Sequence, residues 1–562
     1  MLWVALHLPA LSLEAWSATL GPAHAGRPLA LLHDHQVQRV DAVARARGVR
    51  PGMKRATALA LASDLLLGQA DARRDAQALR AVAHAALAFS PAVAWATPEG
   101  WRPSASEAGA QGEGDRAGQA GEGGDAPPNP APSPALVGVR LEVQSCLRYF
   151  GGLPALLAQL RASLAPLGHR LRIATAPTAL GAALLAAWRP DLADGPHSHR
   201  LAALQPLLDA VPLHLLGPGQ QHWQALQGMG LSTLADLAGL PRTGLARRFS
   251  PELLDDIDRA RGHAPEAQRW LTLPQRFASR IELFSRADTS AQLLAGAGVL
   301  LPRLVAWAMA RQVRILRFTL VMHHEPRHRH DSDAPERSAI TIAPALPTVD
   351  FAHLQALLAE HLGRMPLPAP ALELSLLCDA TTAGAAPNGE LFASQASRRE
   401  GLARLVERLQ ARLGRDQVQS LSPVSDHRAE CGARWLPADA ARLAALPGVG
   451  AAQAAAGPGS VAPALAGAAP AAPPTLATQP LWLLPMSQAL PERNQRPLLE
   501  GRPLQLLAGP ERLETGWWDD AGLAVRDYFI AQSASGALVW LYRNRLPANG
   551  QGEGWFLQGW FG

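Results

Sequence analysis

The stretch LWVALHLPALSLEAW, Leu2 to Trp16, poses the question on which the fold turns. Leu2–Leu8 is an apolar run interrupted by one imidazole, His7, and closed by Pro9. A run of that length reads as a buried strand. It makes a poor secretion signal, because no basic segment precedes it and His7 and Pro9 interrupt it. His7 is then either a satisfied core histidine or the remnant of a strand that carries chemistry.

Working outward, strands and helices alternate. Leu136–Val143 and Arg170–Thr175 read as strands, with helices over Arg55–Ala62, Asp75–Ala88, Pro154–Leu167 and Thr178–Trp188. Gln220–Gly262 is helical with glycine breaks. Mixed structure returns from Ile281 to Leu421, with strands at Val313–Met322 and Ala371–Cys378 and helices at Ser290–Ala310, Phe351–Leu362 and Arg398–Leu413. Pro480–Gly562 alternates turn residues with short aromatic runs and reads as a small β-rich module. The pattern predicts an α+β, multidomain chain.

Bulk numbers agree. A chain of 562 residues needs several cores. Of the 49 Gly and 48 Pro, twelve of each fall in 102–134 and roughly 447–474, segments too poor in large apolar residues to offset ordering entropy. Both read as disordered, an insert and a tether. The net charge of +5 is carried almost wholly by arginine, with Lys54 the single lysine, which permits polyanion partners. Cys146, Cys378 and Cys431 form no paired motif, so neither zinc nor a disulfide framework is expected and a reducing cytoplasm fits. No stretch has the length of a membrane span without charge or proline.

The segment WQALQGMGLSTLADLAGL, Trp223–Leu240, has the shape of a helix-hairpin-helix. Gly228, Met229 and Gly230 turn the chain, and Ser232 is placed to cap the next helix. Such a turn lets backbone N–H groups approach a phosphate, with Arg242, Arg247 and Arg248 adding charge. An ordinary αα-hairpin fits the same residues. HHEPRHRHD, His323–Asp331, reads as a solvated hairpin loop and not a metal site.

In order and spacing these pieces resemble a Y-family (translesion) DNA polymerase. ARARGVRPGM, Ala44–Met53, is similar to the fingers signature of that family. The glycine hairpin then stands where the thumb would be, and the module from Ile281 where the little finger would be. The resemblance divides the chain into a palm (1–12 and 70–215, with insert 102–134), fingers (13–69), thumb (216–270), little finger (278–425), linker (426–478) and a C-terminal interaction module (479–562).

Active members hold two metal ions with clustered carboxylates. Matched to the family, the acids of the first strand fall on Ala5 and His7 and its aromatics on Pro9 and Ala10; the later Asp-Glu pair falls on Leu141 and Glu142. Glu142 alone remains acidic. The nucleotide-contacting tyrosine matches Ala42 and a lysine matches Ala183, while the arginine persists as Arg45. The resemblance therefore implies a degenerate, non-catalytic member with no metal and no cofactor.

PLWLLP, GPERLETGWWDDAGLAVRDYFIA, LVWLYR and WFLQGWFG are similar to a module that accompanies this degenerate branch, with Gln558 where a histidine is expected. Such a member implies a cytoplasmic, DNA-binding adaptor of bacterial translesion synthesis and SOS mutagenesis. Its implied partners are the sliding clamp, an error-prone C-family DNA polymerase and a RecA-like accessory protein. Gln479, Leu481, Trp482 and Leu483 are the clamp-binding candidate, and equally the start of a strand. The alternative is an active polymerase with rearranged ligands such as Asp34 or Asp41.

Overall fold

The computed structural model describes all residues except 22–23, 97–135, 326–334, 385–394, 441, 443–479, 481, 519–522, 547–551 and 562. The insert 102–134 and most of the linker fall outside the described residues. The chain divides into two compact units, Met1–Ser394 and Gln395–Gly562, both mixing helices and sheets.

The first unit begins β1 (Trp3–His7), α1 (Leu11–Ser17), β2 (Leu29–His33), β3 (Gln36–Val40), α2 (Ala42–Ala46), α3 (Arg55–Leu61), β4 (Leu66–Gln69). It continues α4 (Ala72–Ala86), β5 (Val93–Ala96), β6 (Gly138–Glu142), α5 (Leu153–Leu164), β7 (Arg172–Ala176), α6 (Ala179–Trp188). One sheet is ordered β5–β6–β1–β7, with β1 antiparallel to both its neighbours. Leu2, Val4 and Leu6 enter a core with α4 and α5, whereas Trp3 and Ala5 enter another with α6. Two covered faces explain an apolar run without alternation. Thr178 caps α6 by accepting from Gly181 N, and Asp71 caps α4 by accepting from Arg73 N and Arg74 N.

A separate three-stranded sheet, ordered β3–β2–β4, packs with α2 and α3 around Leu32, Val37, Ala44, Val49 and Ala58. Its β2–β3 turn holds Asp34 and His35 at φ 47° and 65°, the left-handed pair of a tight hairpin. The helical region contains α7 (Trp223–Gly228), α8 (Leu234–Ala238), α9 (Arg242–Arg248) and α10 (Pro251–Arg261), joined to α6 through Leu226, Leu234, Leu245 and Leu253.

Next come β8 (Phe277–Ala287), α11 (Ser290–Ala310), β9 (Val313–His324), β10 (Arg337–Ile342), α12 (Phe351–Arg364) and β11 (Ala371–Ala383), with sheet order β10–β9–β11–β8. At 21 residues α11 is long and apolar enough to cross a membrane, yet, in keeping with the sequence reading, it carries a proline, Pro302, and a charge, Arg303. Leu293, Leu300, Leu304 and Trp307 are nevertheless buried in this module, so α11 is its core helix. Burial lowers the Arg303 pKa to about 10, and its guanidinium donates to Ser279 Oγ at 3.2 Å. His323 and His324 belong to β9, not to a solvated loop; His324 is buried and paired with Ser338. Of that loop reading, 326–331 lies outside the described residues.

The second unit holds α13 (Gln395–Leu413), β12 (Gln419–Pro423), β13 (Ala433–Pro437), β14 (Trp482–Leu490), β15 (Gln505–Thr515), β16 (Ala524–Gln532), β17 (Leu538–Asn544) and β18 (Gly554–Trp560). β12 and β13 form a hairpin within the stretch that the sequence reading assigned to little finger and linker. Backbone pairing builds β13, and composition does not reveal such pairing. The larger sheet runs β14–β18–β17–β16–β15 and carries an apolar cluster on each face.

Candidate functional site

The end of β1 forms a small cleft lined by Ala5, Leu6, His7, Leu136–Arg140 and Ala183, with room for about one water. His7, Ala5 and Ala183, three of the positions matched to the family's catalytic and nucleotide centre, therefore do converge. Leu141 and Glu142 do not. Across the ladder His7 faces Gly138, and Glu142 faces Trp3, four residues or ~13 Å along the strand. Leu141 lies on the other face of the sheet, in the core with Val4 and Leu6. The Glu142 carboxylate accepts from Leu2 N at 3.3 Å and Gln144 N at 3.1 Å, holding a strand end. The expectation that Glu142 is a remnant of the centre is thus corrected: register puts it at the wrong end of β6.

Gly138 is required where it stands. A Cβ there would overlap the Leu6 carbonyl oxygen, so no side chain fits opposite His7. His7 has its pKa lowered to about 4, first by burial and then by Arg172; a hydrogen bond with the Val137 backbone raises it, and Arg39 lowers it further. At neutral pH the ring is uncharged beside two guanidinium groups. The residues present do not fit a pair of magnesium ions, which require clustered oxygen ligands. Among the described residues no group of three or more His, Cys, Asp and Glu is placed to hold a metal ion.

The alternative acids stand elsewhere. Asp34 is an exposed turn residue beside His33. Asp41 caps α2, accepting from Ala44 N at 2.7 Å and Leu29 N at 3.0 Å. Ala42 and Arg45 sit exposed on α2 in the three-stranded module, whose Arg39 donates to the Pro9 carbonyl at 3.3 Å.

An ion pair not foreseen from sequence lies below the cleft. Arg140, opposite Ala5 on β6, donates to Glu266 at 2.9 Å, and Glu266 also accepts from Leu180 N at the start of α6. Trp270 stacks on Trp3 with ring centroids 6.0 Å apart, and Leu271 N donates to the Val93 carbonyl. The segment after α10 is therefore strapped along the sheet. A lone Glu in HAPEAQRW gives no periodic signal by which sequence reasoning could have found this.

The glycine hairpin joins α7 to α8. Nothing lies within 4 Å of a Cβ placed on Gly228 or Gly230, and Gly230 has φ 78°. The cap differs from the expectation, since Thr233 is the N-cap residue and Asp236 reaches back. Asp236 Oδ2 accepts from Ser232 N and Thr233 N, both at 2.8 Å, and these bonds lower its pKa to about 2. Met229, Gly230, Leu231 and Leu234 also donate to internal carbonyls. The open hairpin thus offers shape more than vacant backbone donors. Charge comes from Arg247 and Arg248, both exposed on α9; Arg242 donates two hydrogen bonds to Asp258.

In the C-terminal sheet Trp482 and Leu483 open β14 opposite Trp560 and Gly559, and both remain exposed, by 69% and 46%. Gln479 and Leu481 lie outside the described residues. Tyr528, Trp540, Tyr542 and Phe556 form a buried aromatic face, while Trp517 and Trp518 are exposed. Gln558 bridges two side chains, donating to Glu430 at 2.7 Å and accepting from the Tyr528 hydroxyl at 2.9 Å. Burial pushes that hydroxyl up to about 12, so it remains a donor at neutral pH. Glu430 also pairs with Arg526 at 2.7 Å.

No family model matches the chain. Among solved structures it is similar to a Dbh ternary complex (TM-score 0.34, 14% identity, 68% of this chain and 100% of that chain). It is also similar to DinB from Sulfolobus solfataricus (TM-score 0.33, 15% identity, 67% and 98%). Protein ImuB from two strains of Caulobacter vibrioides, NA1000 / CB15N and ATCC 19089 / CIP 103742 / CB 15, is 27% identical over 545 residues, covering 92% of this chain and 100% of each relative. The chain is a homologue of protein ImuB, related along nearly its whole length.

Proposed function

We propose that the chain is a non-catalytic DNA-binding adaptor of translesion synthesis, built on a polymerase-like frame of palm, fingers, thumb and little finger. One observation carries the reading. Where β1 and β6 meet, a neutral His7 faces a glycine that admits no side chain, with the guanidinium groups of Arg172 and Arg39 nearby. A centre of that composition repels divalent cations instead of clustering them. Arg247 and Arg248 on the thumb-like helices supply sequence-independent contacts to DNA phosphates. The C-terminal module then serves partner binding: the sliding clamp through the segment 479–483, an error-prone C-family DNA polymerase, and a RecA-like accessory protein of the ImuA type.

The test is primer extension by the purified full chain with magnesium or manganese, run beside DNA binding by fluorescence anisotropy. Binding without templated incorporation is the expected result. Robust templated incorporation would overturn the adaptor reading. For the clamp, pull-down by the whole chain is expected, with loss on Leu481→Ala/Trp482→Ala/Leu483→Ala; full retention in that variant removes the segment from the interface.

A further inference from the structure

Helix α13 carries apolar side chains on two sides. Ala403, Val406 and Ala411 are buried, and Gln410 Nε2 donates to the Ala438 carbonyl at 2.5 Å. A second row, Leu402, Leu405, Leu409 and Leu413, is 38–54% exposed. At 3.6 residues per turn these four fall within an arc of ~80°, so they form one continuous stripe. Arg408 and Arg412, both exposed, run along its outer margin. Glu400 and Glu407 lie on the opposite flank, where Glu400 accepts from Arg404 at 2.7 Å. The solvent face is thus segregated into leucine and arginine.

Contiguous exposed leucines at helical spacing mark an interaction surface more often than scattered ones do. Their chemistry limits the occupant. A second copy seated antiparallel on the same stripe would bring two arginine margins together, and like charges disfavour it; seated parallel, it would set each margin against the partner's flank of buried Ala403 and Val406, which offers the arginines no carboxylate at the seam. Nucleic acid would match the arginines but press charged phosphates against four leucines. An α-helix with its own apolar stripe and an acidic margin satisfies both halves at once. We infer that the Leu402–Leu413 face of α13 is the docking seat for an acidic amphipathic helix of a partner protein. Its leucines interdigitate with the stripe, and its carboxylates take Arg408 and Arg412 in charge-assisted hydrogen bonds. This inference does not rest on DNA binding, which uses residues of the other unit.

The test uses the full chain and two labelled synthetic helical peptides, each with leucine at a and d positions and either glutamate or lysine at the remainder. Fluorescence anisotropy should show saturable binding of the glutamate peptide and none of the lysine peptide. Leu405→Asp/Leu409→Asp should weaken binding at least ~tenfold. Arg408→Glu/Arg412→Glu should weaken it comparably and gain the lysine peptide, an exchange that a merely misfolded variant does not make. All four positions are exposed, and both variants should keep the parent circular dichroism spectrum and DNA affinity. No binding of the glutamate peptide, equal binding of both peptides, or unchanged affinity in either variant would overturn the inference. So would a preference of this face for anionic phosphatidylglycerol vesicles over the peptide, lost in the leucine variant.

Discussion

At His7 the sequence and the structure part company in an instructive way. An imidazole in an apolar strand is legible as an oddity, yet its state depends first on burial and then on groups far away in the chain, Arg172 and, to a smaller extent, Arg39, which no local pattern announces. Its lowered pKa has a measurable signature. NMR titration of the ring should show no protonation from pH 8 down to ~5 and a midpoint near 4; a midpoint near the ordinary 6.5 would show the cleft to be open and hydrated. The sign follows: the folded state resists the proton more than the unfolded chain does. This contribution is therefore complete above about 6.5 and declines as pH falls toward 4. Asp527 gives the same sign from a different cause. Hydrogen bonds from Arg512, then burial acting against them, then Arg545, leave its carboxyl below the ordinary 3.8. Its stabilisation is present above that value and disappears as pH drops through the depressed pKa. Asp527→Asn should cost about 1–3 kcal/mol at pH 7 and flatten the acid limb below pH 4, read by urea unfolding of the chain's tryptophan fluorescence. An unchanged acid limb would remove Asp527 from the account.

The hairpin between α7 and α8 shows what an element can and cannot reveal in sequence. Gly-Met-Gly marks the turn, and the structure keeps Gly230 at positive φ as that reading requires. What the letters hide is that Asp236 already takes the N–H groups at the start of α8. The division of labour is testable. Gly230→Ala should cost about 1–2 kcal/mol of stability through its left-handed backbone. Gly228→Ala should be nearly silent, having open space around it. Arg247→Glu/Arg248→Glu should lower DNA affinity and reduce the slope of log K against log salt by about 2. An unchanged slope would assign DNA contact to another surface. α4 was legible because its apolar residues recur at helical spacing, and α6 because an uninterrupted Ala/Leu run favours helix and is here buried all round. β8 was not, since it pairs with β11, about a hundred residues further along the chain.

Across the whole molecule, the order of motifs pointed to the relationship that the ImuB comparison bears out. Register was beyond reach: Glu142 looked like a surviving acid until pairing with Trp3 placed it at the far end of β6. Excising 102–134 should leave the thermal unfolding midpoint and DNA affinity of the chain unaltered, measured by calorimetry and anisotropy; loss of soluble protein would make the segment structural. The contact of Gly138 with the Leu6 carbonyl also bears on ancestry. With backbone occupying the volume that a ligand's first carbon would need, reinstating one aspartate at position 7 cannot rebuild a cation cradle. On the adaptor reading proposed above, the loss works like a pawl, because a return to chemistry demands moving two strands apart before any new side chain can help.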